Sequence, residues 1–248
     1  MDNKEKALEH FRERSQSYNR SSRWVADEEL LGLISALTAI SSDETLLDLA
    51  TGTGLVARCF RGKAKEVIGL DISRDMTRSA SAHVDRMIIA PMEAVPLASA
   101  SVDACVCRQG LQFSNLPKAL EEVARVLKPG GRAVFCHLNA YGPEDRSDAF
   151  KIQALRNPAR INFFMPGDLE AALEAAGLTV TRNVRHLSRE SVNTWIGHGA
   201  NRPEEREAIR DAYRSSSLEF KRLHRVEMTE DDIFDTMLFL LIRAEKKG

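Results

Sequence analysis

Short apolar runs alternate along the chain with segments whose apolar positions recur at helical spacing. Apolar runs bounded by glycine, proline or polar residues are typical of buried strands, whereas the helical spacing is typical of amphipathic helices. We predict strands at Thr45–Leu49, Val67–Leu70, Met87–Ile89, Val102–Cys107, Ala133–Leu138, Leu178–Val184 and Met237–Ile242. We predict two helices within 4–39, separated by a polar stretch, and further helices at 55–60, 76–83, 117–127, 169–176 and 203–224.

The alternation of strand and helix indicates the fold class. Because crossovers between parallel strands are right-handed, this order predicts an α/β fold with a doubly wound, mostly parallel, seven-stranded sheet and helices on both faces. Pro117 suits the first turn of the helix that precedes Ala133, and Gly130 and Gly131 are expected to end it. Two stretches, 139–166 and 188–230, interrupt the alternation and are predicted to form a cap over the sheet.

The composition excludes several classes of protein. The chain has 248 residues, of which 43% are hydrophobic, and its 35 basic and 36 acidic residues nearly cancel. A near-neutral chain has no global field that would attract nucleic acid. No apolar run approaches the roughly 20 residues of a membrane helix, and the N-terminus lacks an apolar signal core. We therefore expect a cytoplasmic enzyme without membrane insertion, and the histidine and cysteine spacing indicates no metal site.

A glycine-rich turn follows the first strand in the segment LLDLATGTG. Gly52 and Gly54 would let a ligand approach the backbone, whose N–H groups at the start of a helix attract anions. Asp48 and Thr51 add polar side chains, and Asp71 ends the second strand 19 residues after Gly52. That spacing suits a carboxylate that holds the ribose hydroxyls of an adenosine. The turn alone also satisfies the dinucleotide pattern of nicotinamide enzymes, and it could equally be a tight structural corner.

Four motifs read together resemble one family. The runs LLDLATGTGLVA, VIGLDIS, APMEAVPLASASVDACVCRQGLQF and ALEEVARVLKPGGRAVF are similar, in order and spacing, to class I S-adenosylmethionine-dependent methyltransferases. They look most like the ubiquinone and menaquinone C-methyltransferase branch. The resemblance spans residues 44–138 and implies a Rossmann-like methyltransferase fold with S-adenosyl-L-methionine as cofactor. It does not specify the methyl acceptor.

The resemblance also implies roles for individual residues. Asp48, Ala50 and Gly52 would line the methionine end of the cofactor, and Thr51 and Gly54 of the same turn are further candidate contacts. Asp71 would hold the ribose hydroxyls, Ile72 and Met76 would flank the adenine, and Met92 and Glu93 would lie along its polar edge. Arg108 and Gln109 would face the sulfonium and the acceptor. Ala50 stands where the family usually has its first glycine. Pro91 replaces the usual acidic residue, so the N–H of Met92 is expected to reach the adenine instead.

The domain organisation follows from these assignments. We expect one methyltransferase domain over 1–248, with an N-terminal helical lid over 1–40 and a cofactor-binding half over 41–138. The substrate half would cover 139–248, with a helical cap inserted at about 188–230. Tyr18 and Trp24 would either close over the cofactor or pack the first helix against the body.

Two histidines are candidates for a general base. Methyl transfer from a sulfonium is an in-line displacement in which the protein orients the acceptor and sometimes deprotonates it. His137 ends the fifth strand and His198 ends the segment WIGH, and a histidine titrates near neutrality. The alternative for each, a hydrogen-bonded structural residue or a merely polar pocket residue, is the more common role of such a histidine. Arg108 and Gln112 could recognise an acidic or carbonyl-bearing acceptor.

The resulting hypothesis is a methyltransferase that acts on oxygen, nitrogen or carbon of a small molecule, such as a quinol, a phenol or another secondary metabolite. One alternative is a protein that binds S-adenosylmethionine without methylating. A nicotinamide oxidoreductase is less favoured, because none of Tyr18, Tyr141 and Tyr213 is followed by lysine in a Tyr-x-x-x-Lys pair. We expect a small-molecule methyl acceptor as the partner, and a homodimer is a further expectation.

Overall fold

The computed structural model describes residues 22–197 and 201–248. The strands within these ranges form one eight-stranded sheet. The strands are β1 (Thr45–Leu49), β2 (Glu66–Asp71), β3 (Arg86–Ile89), β4 (Val102–Arg108), β5 (Leu127–Asn139), β6 (Leu178–Ser191), β7 (Glu227–Met228) and β8 (Ile233–Lys246). Their order is β3-β2-β1-β4-β5-β8-β6, and β7 pairs with β8. The first five strands are parallel, whereas β8 lies antiparallel between β5 and β6. The doubly wound, mostly parallel sheet is confirmed.

Helices cover both faces of the sheet. They are α1 (Glu28–Thr38), α2 (Leu55–Arg58), α3 (Leu116–Val126), α4 (Arg146–Arg156), α5 (Asp168–Ala175), α6 (Val192–Gly197), α7 (Pro203–Arg214) and α8 (Leu218–Leu223). Side chains alternate along a strand, so β1 sends Leu46 to one core and Leu47 to the other. The first core contains residues of α1, α2 and α4 and of the cap helices α6, α7 and α8. The second core contains residues of α3 and α5.

Two predicted helices were wrong in form. Residues 76–83 contain two short 3-10 turns, Met76–Arg78 and Ala80–Ala82, instead of one α-helix. The hydroxyls of Thr77 and Ser81 donate to backbone carbonyls there, which competes with regular helical bonding.

The predicted helix 203–224 is divided into α7 and α8. Ser215 and Ser216 donate their hydroxyls to the carbonyls of Asp211 and Tyr213 at the end of α7. Ser217 then accepts the N–H of Phe220 and caps α8. Three consecutive serines therefore end one helix and begin the next.

Strand β6 is longer than its apolar pattern predicted, and it extends into the stretch assigned to the cap. Beyond Val184 its inward residues are polar: His186, Ser188 and Glu190 are buried. The carboxylate of Glu190 accepts the N–H groups of Arg23 and Trp24, which fastens the start of the described chain to β6. In the stretch 188–230, the cap helices therefore begin only after Ser191.

Within 22–197 and 201–248, no helix combines the length and the apolar character that a membrane crossing requires. No cluster of three or more His, Cys, Asp or Glu side chains in the same ranges is placed to hold a metal ion.

Candidate functional site

A large cavity opens at the point where the sheet changes winding direction. Strand β1 lies between β2 and β4, so the loops after these strands meet at one edge, which is where open α/β sheets bind ligands. This switch-point cavity has a volume of about 340 Å³. It is lined by most of the residues predicted to contact the cofactor, namely Ala50, Gly52, Asp71, Ile72, Met76, Met92, Glu93, Arg108 and Gln109.

Asp71 joins the glycine-rich turn to β2. One carboxylate oxygen accepts the N–H of Gly52 at 2.8 Å, and the other accepts the N–H of Ser73 at 2.8 Å. Burial raises the pKa of the Asp71 carboxyl, and these two N–H bonds oppose that shift. A carboxylate has about four acceptor sites, so Asp71 keeps acceptor capacity beyond these bonds. The side chain can therefore accept a hydroxyl from a ligand.

The turn itself offers fewer free donors than predicted. The N–H of Thr51 donates to the carbonyl of Leu70 at 3.0 Å, that of Gly52 is bound to Asp71, and that of Gly54 donates to the carbonyl of Thr51 at 2.9 Å. These three N–H groups are therefore engaged within the protein, and anion binding at the start of α2 stays a prediction. Their hydrogen bonds instead fix the turn against β2.

Three predicted contact residues lie outside the switch-point cavity. Asp48 accepts the hydroxyl of Thr51 at 2.7 Å, and both line an adjoining pocket of about 20 Å³ that shares Arg108 with the switch-point cavity. Burial raises the pKa of Asp48 to about 7, against the opposing hydrogen bond from Thr51. Gly54 has φ +83°, and a Cβ there would lie 2.9 Å from the Cα of Ala80. Its role is close packing within the protein.

The walls of the switch-point cavity suit a flat, mainly apolar group. Ile72, Met76, Met92 and Phe113 contribute apolar surface. Glu93 lies at the rim, where its carboxylate accepts the N–H of Asn115 at 2.7 Å. An adenine between the apolar side chains and a ribose at Asp71 are compatible with this arrangement.

Arg108 connects the cavity to the start of the described chain. Its Nη1 donates to the carbonyl of Val25 at 2.9 Å, and its guanidinium lies 5.5 Å from the ring centroid of Trp24. Trp24 packs 5.4 Å from Phe239 and does not line the switch-point cavity. The structure therefore favours packing over cofactor closure for Trp24.

A second cavity of about 60 Å³ adjoins the first, and Gln109 and Phe113 line both. Its other polar lining residues are Gln112, Gln153, Arg156, Asn157 and Arg160. Of these, only Gln112 was predicted to meet an acceptor. Arg156 and Arg160 lie in the stretch 139–166, which the sequence assigned to the cap and the substrate half without indicating either arginine.

Gln109 lies at the junction of the two cavities. Its backbone has φ 56°, in the left-handed region that side-chain-bearing residues rarely adopt. Its carbonyl and its side-chain oxygen accept bonds of 2.8 and 2.9 Å from Gln112 Nε2. Gln109 Nε2 and Gln112 Oε1 are buried without a hydrogen-bond partner among the described residues. A donor and an acceptor are thus available at the junction.

The structure contradicts the proposed base role of His137. Side chains alternate along β5, so Leu138 lines the second cavity whereas His137 faces the opposite core and packs 5.4 Å from Phe164. Burial and the charge of Arg160 lower the pKa of His137 to about 3. A ring outside both cavities cannot reach an acceptor. The other two predicted residues, Tyr18 and His198, lie outside the described residues.

Comparisons with known proteins indicate the family of the chain. A family model described as a methyltransferase domain matches residues 47–135. The malonyl-[acyl-carrier protein] O-methyltransferase of Serratia marcescens is 33% identical over 203 residues, which cover 78% of this chain and 76% of the relative. The uncharacterized methyltransferase YcgJ of Bacillus subtilis is 29% identical over 199 residues, which cover 76% and 78% of the two chains.

Solved structures share the fold. The crystal structure of YcgJ superimposes with a TM-score of 0.82 at 24% identity and covers 89% of this chain and 99% of that chain. The geranyl diphosphate C-methyltransferase of Streptomyces coelicolor, solved with S-adenosyl-L-homocysteine, gives a TM-score of 0.61 at 17% identity, with 89% and 79% covered. The nicotinamide alternative has no support in these matches. The chain belongs to the methyltransferase family and is an enzyme that takes its methyl group from S-adenosylmethionine.

Proposed function

We propose that the chain methylates a small molecule whose reacting end enters the second cavity, while the switch-point cavity holds the methyl donor. The observation that carries this proposal is the junction of the two cavities at Gln109 and Phe113. When bound, S-adenosylmethionine supplies a methyl group already activated on a sulfonium. The protein then needs mainly to align the acceptor and exclude water.

The side chains of the switch-point cavity divide the binding of the donor among them. Asp71 accepts the two ribose hydroxyls with its remaining lone pairs, and Ile72 and Met76 flank the adenine. Ala50, Gly52 and Arg108 line the methionine end. Asp48 holds Thr51 through a hydrogen bond from its hydroxyl and lines the adjoining pocket together with Arg108.

The acceptor is small at its reacting end. A volume of about 60 Å³ has room for only a few non-hydrogen atoms. The resemblance to the quinone branch suggests a quinol, and the name of the Serratia relative suggests an acyl group on a carrier protein. A cytoplasmic location, a single domain over 1–248 and a homodimer stay predictions.

Binding of S-adenosylhomocysteine and NADH, measured by calorimetry on wild type and Asp71→Ala, tests the site. We expect the wild type to bind S-adenosylhomocysteine and not NADH. Asp71→Ala should lose about tenfold to hundredfold in affinity, because hydrogen bonds to a charged group are its main contribution.

Asp75→Ala is the matched control, since Asp75 carries the same side chain but pairs with Arg78 at 3.0 Å and does not line the cavity. It should bind like the wild type. The circular dichroism of each variant checks its folding. Unchanged affinity in a folded Asp71→Ala, or tighter binding of NADH by the wild type, would show that the site is misassigned.

A further inference from the structure

Two arginines line the second cavity, and no Asp or Glu among the described residues lines it with them. Arg156 ends α4, and Arg160 follows in the next loop. Their polar neighbours are the neutral amides Gln153 and Asn157, and aromatic rings complete the wall. The surface is therefore positively charged at a place where the proposed function puts the acceptor.

Arg160 has only neutral contacts in the described structure. Its Nη1 donates to Gln153 Oε1 at 2.7 Å, and its guanidinium lies 5.6 Å from the ring centroid of Phe163. Burial lowers the pKa of Arg160 to about 9. A nearby carboxylate would oppose that shift. Arg160 is half-buried and forms no ion pair with a described carboxylate, so a ligand that brings a negative charge would gain a charge-assisted hydrogen bond there.

Arg156 is held in a fixed position beside the cavity. Its Nε donates to the carbonyl of Trp195 at 2.9 Å, and its guanidinium lies 5.4 Å from the ring centroid of that residue. Gln109 lines the same cavity, and its Nε2 is a buried donor without a described partner. The lining of the second cavity thus contains side-chain donors and no carboxylate.

No described residue that lines the second cavity can act as a general base near neutral pH. The lining contains no His, Lys, Tyr, Cys, Asp or Glu within the described ranges. A phenol or an amine would have to lose a proton before or during methylation. A carboxylic acid, with an ordinary pKa of about 4, is already ionised and needs no base.

We propose that the acceptor is a carboxylic acid whose carboxylate lies against Arg160 beside Gln109 and is itself the group that is methylated. This inference rests on the proposed function. A carboxylate oxygen forms the new bond to the methyl carbon, the carbon–sulfur bond breaks with its electron pair left on sulfur, and no proton moves. The methyl ester is neutral, so it loses its attraction to Arg160 and leaves more readily than the acid would.

Binding of propionate and propionamide to the protein saturated with S-adenosylhomocysteine tests the anion site. Ligand-observed NMR should detect propionate and not its neutral isostere. Arg160→Gln should weaken propionate binding about tenfold or more, because a charge-assisted hydrogen bond is lost. The affinity for S-adenosylhomocysteine should be unchanged in this variant.

Arg146→Gln is the matched control, since Arg146 also lies over an aromatic ring, 5.7 Å from the centroid of Phe150, but lines neither cavity. It should bind propionate like the wild type. Equal binding of the amide, no binding of propionate, or full binding by Arg160→Gln would overturn the anion site. A wild-type protein that does not bind S-adenosylhomocysteine would instead overturn the proposed function.

The nature of the product tests the reacting group. Transfer of a labelled methyl group should be measured to a panel that pairs propionate, malonate and benzoate with their amides and includes phenol. We expect label only on acids, and mild alkali should release it as methanol because the product is an ester. A label stable to alkali, transfer to phenol alone, or no transfer to any acid while the donor binds would overturn methylation of the carboxylate.

Discussion

Two residues with side chains have left-handed backbones at the site. Ala50 has φ 54° and Gln109 has φ 56°, and both line the switch-point cavity. Such conformations cost about 1–3 kcal/mol each and persist where the surrounding structure imposes them. At Gln109 the hydrogen bonds from Gln112 do so, and the strained backbone places a side-chain amide between the two cavities. We interpret this conformation as part of the site.

Gly110 lines the switch-point cavity at a position that has no room for a side chain. Its φ of −109° suits any residue, but a Cβ would lie 2.6 Å from the Cβ of Ala50, 2.9 Å from Cys107 Sγ and 3.2 Å from Met92 Cε. Gly110→Ala should therefore push Ala50 and Met92 into the cavity. We expect at least about a tenfold loss of S-adenosylhomocysteine affinity, with about 1–3 kcal/mol lost in unfolding free energy from overpacking. Calorimetry and urea unfolding measure the two effects.

Gly32→Ala is the control for this substitution. Gly32 lies in α1, and a Cβ there would meet no atom within 4 Å. It should leave ligand affinity unchanged and stabilise the helix slightly, since alanine is the better helix former. Full affinity in Gly110→Ala would mean that the crowded atoms do not shape the site.

At the scale of elements, a buried histidine joins the cap to the sheet. His224 follows α8, and its two ring nitrogens each lie 2.8 Å from a carboxylate oxygen, one of Asp235 in β8 and one of Asp145 before α4. Asp235 also accepts the hydroxyl of Tyr213 in α7 at 2.6 Å. Burial alone would lower the pKa of His224, but the two carboxylates outweigh it and raise the pKa to about 9.

This cluster should make stability depend on pH. A histidine whose pKa is raised by folding contributes stability that is complete below its unfolded pKa of 6.5 and is lost as the pH rises through about 9. We expect the unfolding free energy of the wild type to fall by roughly 3 kcal/mol across that window. His224→Gln should be less stable at neutral pH and should lack this part of the fall. Urea unfolding at a series of pH values measures both.

Other groups titrate in the same range, so the difference between wild type and variant is the quantity to compare. If His224→Gln does not fold, the ring resonances of His224 in the wild type report its pKa directly. A ring that titrates near 6.5, or equal slopes in the two proteins, would show that the carboxylates do not hold the charged form.

At the scale of the whole molecule, one hydrophobic core joins the cap to the sheet. Trp195 and Tyr213 from the cap, Leu46 from β1 and Phe239 from β8 belong to the same cluster. Trp24, at the start of the described chain, belongs to it as well. The cap therefore shares its buried surface with the body, which argues for one cooperative unit.

The two tryptophans make this testable. We expect the urea transitions seen by tryptophan fluorescence and by far-ultraviolet circular dichroism to coincide, as a two-state unit requires. Trp195→Phe leaves Trp24 as the sole tryptophan, and Trp24→Phe leaves Trp195. Each single-tryptophan protein should unfold in step with its own secondary structure. A fluorescence change of Trp195 at lower urea would mean that the cap unfolds separately.

The sequence by itself determined the fold class and the edge of the sheet at which most of the predicted cofactor residues meet. The fold class follows from the spacing of apolar residues, which involves only near neighbours in the chain. The glycine-rich turn and Asp71 come directly after or at the ends of two strands, so parallel pairing of those strands brings them to one edge of the sheet. The hydrophobic pattern was misleading at two places. At serines 215–217, side-chain hydrogen bonds to the backbone interrupt a helix that the periodicity predicted to continue. At His186 and Glu190, buried polar residues of β6 look like exposed residues in the sequence.

Only the tertiary structure decided which side chains meet in the second cavity. Arg156 and Arg160 are far along the chain from Gln109, and no local pattern indicates that α4 and its following loop pack beside the end of β4. Strand alternation turned His137 away from the second cavity, and the shared core holds Trp24. The physical reason is that a periodic pattern specifies which face is buried, whereas the neighbours across that face depend on how distant elements pack.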